Sequence, residues 1–177
     1  LAGGSTHRDA PIRAGRSPPL DGVDAESRVN THLRVWSSMT KYVGLDWASK
    51  GWFGVILRDD GDWETDLFPS IWSVWKYHSD AARILIDVPI GLPSEQRRAC
   101  DVAAKDKLGR QQRSVFYTPV RDAVYEQNLD EARATNEDAA DFSIQNQAWG
   151  IVPRIREVDE FLDMNPSARD RLHETHP

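Results

Sequence analysis

Cysteine is almost absent from this 177-residue chain: Cys100 stands alone, so no internal disulfide can form. A reducing cytoplasm is the compartment this favours. Long apolar runs are missing too, and none approaches the roughly 18–20 residues of a membrane-spanning helix, so no membrane association is expected. Positive charge is in deficit, with 22 Lys and Arg against 28 Asp and Glu and a formal net charge of −6. That balance argues against simple electrostatic adhesion to nucleic acid, whose phosphates are neutralised by basic side chains. It leaves room for a metal-dependent nuclease, because carboxylates that hold a divalent cation are themselves acidic. Nothing in the sequence sets the oligomeric state.

Residues 1–38 differ from the rest. They are rich in Gly, Pro, Ser and Arg, with hardly any apolar periodicity. Such a stretch buries too little surface to offset the entropy of ordering it. Three readings compete: a disordered arm, a cleaved targeting peptide, or upstream sequence translated from a wrongly chosen start. A secretory signal needs an apolar stretch of about 7–15 residues, and none is present. Met39, followed at once by the first convincing strand, favours the wrong start. The folded domain is therefore assigned to residues 39–177.

Within it, Lys41 to Leu45 reads as a strand ending at Asp46, and Trp52 to Arg58 as a second. Asp59-Asp60-Gly61-Asp62 is a hairpin turn, and Trp63 to Phe68 completes an antiparallel meander. Ser70 to Asp80 has Ile71, Val74, Trp75 and His78 at helical spacing. Ala82 to Val88 is a continuous apolar run of the kind buried on both faces of a sheet. Ser94 is the expected N-cap of the next helix and Gly109 its stop. Thr118-Pro119 is expected to open a helical region reaching about Ala140. Another helix is expected from Ser143 to Leu162, with Pro153 kinking it or starting its second half, and a last strand from Leu172 to His176. The fold class is α/β: a mixed sheet of meander plus parallel strands, with a helical insertion between the fourth and fifth strands.

Asp46 and Asp87 each stand at the carboxyl end of an expected strand, where open α/β sheets bind their ligands. If the two strands are neighbours, the carboxylates converge, and a divalent cation relieves their repulsion. Mg²⁺ or Mn²⁺ suits such oxygen ligands. Glu174, in the last strand, is the third candidate. The plainer reading of any one strand-end Asp is a turn former or helix cap, so the pair is the signal. Lys50, Arg113, Ser114 and Arg121 are candidate phosphate contacts. Arg97, Arg98, Lys105 and Arg110, interspersed with Glu95, Asp101 and Asp106, read as a solvated helix face. Gln145 and Gln147 have the option of reading a base or ribose edge, but helix packing by Ile144, Ala148 and Ile151 explains the stretch more simply. Cys100 reads as core, and Trp47 as sheet packing with an option to stack on a base. Strand alternation sets His173 on the face opposite Glu174.

Several motifs resemble one family. Gly44-Leu45-Asp46-Trp47-Ala48 with Gly51-Trp52 comes first, then Ile86-Asp87-Val88-Pro89-Ile90-Gly91-Leu92-Pro93. Arg98-Ala99-Cys100-Asp101 with Leu108-Gly109 follows, then Ser114-Val115-Phe116-Tyr117-Thr118-Pro119. Ser143-Ile144-Gln145-Asn146-Gln147-Ala148-Trp149, Arg154-Ile155-Arg156-Glu157-Val158-Asp159 and Glu174-Thr175-His176-Pro177 complete the series. In this order they resemble domain-of-unknown-function family 429, described as predicted nucleases with a ribonuclease H-like fold. The resemblance spans roughly residues 42–177. It implies that fold, metal-dependent phosphodiester hydrolysis, and Asp46, Asp87 and Glu174 as the strand-borne acids. The family continues beyond the position of Pro177 with a further Glu, the rest of the strand and a helical part, so a C-terminal truncation is expected. Two rivals are a non-catalytic binding module and an actin-like or sugar-kinase-like phosphotransferase. The turn after Asp46 lacks the Gly and Ser/Thr pattern of a phosphate-gripping hairpin, which disfavours the second.

Overall fold

The computed structural model describes residues 39–175; the readings placed on residues 1–38, His176 and Pro177 lie outside the described residues. The meander forms as the alternation predicts, with β1 (Lys41–Ala48), β2 (Gly51–Arg58) and β3 (Trp63–Phe68), although β1 runs two residues past the end expected at Asp46 because Trp47 and Ala48 still pair with β2. Helix α1 (Ile71–His78) and strand β4 (Arg83–Ile86) follow. The insertion contains α2 (Ala99–Leu108), a 3-10 turn at Gly109–Ser114, and helices α3 (Arg121–Val124), α4 (Leu129–Ala140) and α5 (Asn146–Met164). A second 3-10 turn, Pro166–Asp170, leads into β5 (Leu172–Glu174). The five strands lie in the order β3-β2-β1-β4-β5. The first three are antiparallel to one another, while β1, β4 and β5 run parallel. The chain is therefore α/β with a mixed sheet.

Period-two patterning decides which face is covered. Val43, Leu45, Trp52, Ile56, Ile84, Ile86 and Leu172 share one face and are buried with Ile71 and Val74 of α1 and Val152, Ile155, Val158, Phe161 and Leu162 of α5. Gly54 lies on that face too, where an added Cβ would sit 2.8 Å from the Phe68 ring. The opposite face is open among the described residues. Tyr42, Phe53, Val55, Leu57, Leu67 and Leu85 are exposed there, and Trp63 most of all. This corrects the expectation for the fourth strand, which is buried on one face only: Ile84 and Ile86 are covered, Arg83 and Leu85 are not. An apolar run carries no period, so it could not distinguish the two cases.

Two expected helix starts also move. Ser94 does not cap α2, whose capping position is Arg98 in extended backbone conformation. Thr118-Pro119 opens no helix, and α3 begins at Arg121. The cause is tertiary: Thr118 N–H donates to Asp101 Oδ2 (2.8 Å) and Val120 N–H to Asn136 Oδ1 (2.8 Å), holding the segment extended. Gly109 does end α2, at φ 51°, a left-handed conformation that suits glycine. Pro153 lies inside α5 without ending it. The N-terminus of α1 is capped by Ser70, and Ile71 N–H donates to Glu157 Oε1 of α5 (2.7 Å). A carboxylate there complements the helix dipole.

Candidate functional site

The sheet register assembles the site. Leu45 pairs with Ile86, and Ile86 with Glu174. Asp46 and Asp87 are the next residues of the two neighbouring parallel chains, and Asp87 N–H donates to Leu45 O (3.1 Å). On the other side Thr175 N–H donates to Ile86 O (2.9 Å). Asp46, Asp87 and Glu174 line one cleft of about 630 Å³ at the carboxyl ends of these strands. Its other walls come from α2 (Cys100, Asp101, Ala104) with Arg98, from the segment Ser114, Val115, Phe116 and Thr118, and from α5 (Gln147, Ile151, Arg154).

The three acids differ in their surroundings. Glu174 is gripped by a guanidinium fork: Arg98 Nη1 donates to Oε2 (2.7 Å) and Nη2 to Oε1 (2.8 Å), while Ile90 N–H donates to Oε2 (2.9 Å). Arg98 also reaches Asp101 through Nε (3.1 Å) and Nη2 (2.6 Å), and donates to Ile90 O (2.9 Å). Burial works against the Arg98 charge, but its bonds to Glu174 and Asp101 outweigh that cost and raise its pKa, keeping it protonated. Burial likewise opposes ionisation of Asp101, yet Arg98 and the Thr118 N–H hold its carboxyl below the usual range. Asp46 lies on the open face in register with Phe53 and is exposed. Among the described residues no group of three or more His, Cys, Asp or Glu side chains is placed to hold a metal ion. Two strand-end carboxylates still fit Mg²⁺ or Mn²⁺, which bind through few protein ligands plus water and substrate phosphate.

Arg98 and Asp101 were expected on a solvated helix face and instead form a buried pair, with side chains 9% and 7% exposed. The sequence did hold a signal for this. Helix α2 has no apolar stripe, and Asp101 is its only buried residue, so the helix is anchored by charge. The same anchoring leaves Cys100 exposed at the cleft rim rather than in the core, its Sγ 3.6 Å from Asp101 Oδ1.

Of the four candidate phosphate contacts, Ser114 lines the cleft, its hydroxyl donating to Gln111 O (2.9 Å). Lys50 and Arg113 are exposed and do not line it. Arg121 does not line it either: its guanidinium donates to both oxygens of Asp159 (2.6 and 2.8 Å) and to Asp163 (3.2 Å). The cation that does line it alongside Arg98 is Arg154, lying 3.8 Å over the Trp47 ring. Gln147 is exposed into the cleft rather than packed between helices, whereas Gln145 occupies the capping position of α5. His173 is on the strand face away from Glu174, 3.4 Å from Arg83 Nη1.

Fold and site together define an α/β protein with a mixed sheet and an acidic cleft at the carboxyl ends of its central parallel strands. The chain belongs to the family described as "Protein of unknown function (DUF429)", whose model matches residues 44–177. No curated protein and no solved structure matches it.

Proposed function

We propose that this domain is a metal-dependent nuclease of the ribonuclease H-like kind, hydrolysing phosphodiesters of nucleic acid in a reducing cytoplasm. The observation that carries the reading is the register setting Asp46 and Asp87 side by side in one cleft. The strand order β3-β2-β1-β4-β5, an antiparallel meander joined to two parallel strands, is the plan the family resemblance implies. Asp46 and Asp87 are the residues that would hold Mg²⁺ or Mn²⁺. The ion would supply an activated water and neutralise charge on the leaving oxygen. Glu174 takes a positioning role in place of ligation, since Arg98 occupies both its oxygens and its bond to Ile90 N–H fixes the turn that follows Asp87. A non-catalytic binding module is the second reading, favoured by that same engagement of the third acid by Arg98.

Calorimetric titration with Mn²⁺ separates the two. Saturable binding is expected for the intact chain and its loss in both Asp46→Asn and Asp87→Asn. Retained binding in both variants, or none in the folded wild type, removes the metal site and leaves the module.

A further inference from the structure

The cleft has a second wall that the acids do not use. Gln147, Ile151 and Arg154 are spaced i, i+4 and i+7 along α5 and all three line the cleft, so they form one stripe of the helix. Trp47 belongs to the same wall, its indole stacked under the Arg154 guanidinium. The stack is built in rather than incidental. Glu157 Oε2 accepts from Arg154 Nη1 (2.7 Å), and Glu157 Oε1 accepts from both Ile71 N–H and the indole N–H of buried Trp52 (3.1 Å). Trp52 in turn meets Trp47 edge-on, ring centres 5.4 Å apart. One carboxylate thus ties the guanidinium, a core aromatic and a helix N-terminus together. The bond to Glu157 uses one of the five N–H donors a guanidinium offers.

We propose that Trp47, Arg154 and Gln147 form a subsite for one nucleotide of a single strand, next to the Asp46–Asp87 pair. It rests on the nuclease reading for its substrate class. The indole–guanidinium stack with Ile151 beside it provides the flat, polarisable surface on which a base stacks. The remaining N–H groups of Arg154 match a phosphate, and the Gln147 amide, both donor and acceptor, matches a base edge. A base within a duplex keeps its faces covered by its neighbours, so this surface selects unpaired strands. The cleft volume of about 630 Å³ is in the range of small-ligand sites and far short of a duplex. With a net charge of −6, affinity comes from the subsite and little from long-range attraction.

The test is fluorescence anisotropy of a labelled oligothymidylate of about eight nucleotides, read in EDTA with the full chain, so that binding is scored without metal. Arg154→Ala is expected to weaken binding at least tenfold and to lower the salt slope by about 0.7, the signature of one phosphate lost on a single strand. Trp47→Ala is expected to weaken it about tenfold, Trp47→Phe less. Gln147→Ala, on the exposed side of the helix, is expected to narrow the differences among thymine, cytosine and adenine strands. Arg154→Lys and a urea midpoint for each variant control for folding. A duplex of the same sequence should compete at least tenfold more weakly. Equal binding by Arg154→Ala, Trp47→Ala and wild type, with Mn²⁺ titration intact, overturns the subsite and spares the nuclease reading. Absence of Mn²⁺ binding with oligonucleotide binding still dependent on Arg154 overturns the nuclease reading alone. No oligonucleotide binding by the wild type overturns the subsite.

Discussion

Two clusters in this domain have nearly the same composition, an arginine shared between two acids, and they serve different ends. Arg98 with Asp101 and Glu174 joins the start of α2 to the end of β5 and also holds the Ile90 carbonyl. Arg121 with Asp159 and Asp163, joined by the Tyr125 hydroxyl (2.9 Å to Asp159 Oδ2), fastens α3 to α5. The Arg98 side chain is 9% exposed and borders the cleft; that of Arg121 is 40% exposed and does not. A charged triplet is thus uninformative in itself. Its place relative to the strand ends decides whether it shapes a site or clasps two helices.

The largest effect is expected from breaking the first cluster. Arg98→Ala leaves Asp101 buried with the Thr118 N–H as its main remaining donor, and strips Glu174 of both guanidinium bonds. Removing one partner of a buried pair costs about 3–5 kcal/mol, because the other charge stays uncompensated. Urea unfolding should register a loss of that size. Arg98→Lys should recover only part of it, since an ammonium cannot span two carboxylates as a planar fork does. A loss under about 1 kcal/mol would mean that α2 is anchored by something other than this pair.

Breaking the second cluster should cost less. Asp159→Asn removes the charge that receives two N–H groups of Arg121 and the Tyr125 hydroxyl, but Arg121 keeps Asp163 and contact with solvent. About 1.5–3 kcal/mol is expected, the range for hydrogen bonds to a charged group. Mn²⁺ binding should not change. A variant that folds yet loses the metal would show the clasp coupled to the cleft, and the contrast between the clusters would fail.

Much of the architecture was legible because it rests on short-range periodicity. Alternation gave the meander, and the expected ends of the first and fourth strands marked Asp46 and Asp87 before any partner was known, although only the pairing with β4 ends there, at Leu45, and β1 itself runs on to Ala48. What stayed hidden depends on contacts between distant parts of the chain. Ser94 and Thr118-Pro119 carry the local signals of helix starts, but the Thr118 N–H is taken by Asp101 and the Val120 N–H by Asn136. Arg98 and Asp101, three apart, look like an ordinary surface pair, and only the return of β5 brings Glu174 to them. Trp47 and Arg154 stack because α5 crosses the covered face of the sheet, which no spacing in the chain records. Gln147 was assigned to packing because of the apolar residues around it, Ile144, Ala148 and Ile151; the first two are buried, while Gln147 is exposed.

The smallest effect, and the one that sharpens the contrast, is in pH. Asp101 has a depressed carboxyl pKa in the folded chain, so its contribution is complete above the ordinary value of about 3.9 and is lost as pH falls further. Tyr125 runs the other way. Burial first, and then the hydrogen bond to Asp159, push its hydroxyl up to about 12. The folded state therefore holds that proton more tightly than the unfolded chain, whose tyrosines titrate near 10. Stability from this hydroxyl is complete below about pH 10 and is lost as pH rises towards 12. The first cluster should thus loosen in acid and the second in alkali. Melting temperatures measured across both limbs check this. Arg98→Ala should flatten the acid limb and leave the alkaline one, and Tyr125→Phe should do the reverse, with a smaller amplitude because the ring is partly exposed. If Tyr125→Phe leaves the alkaline limb as steep as before, the Asp159 bond adds nothing to folding, and the second cluster is reduced to its Arg121 ion pairs.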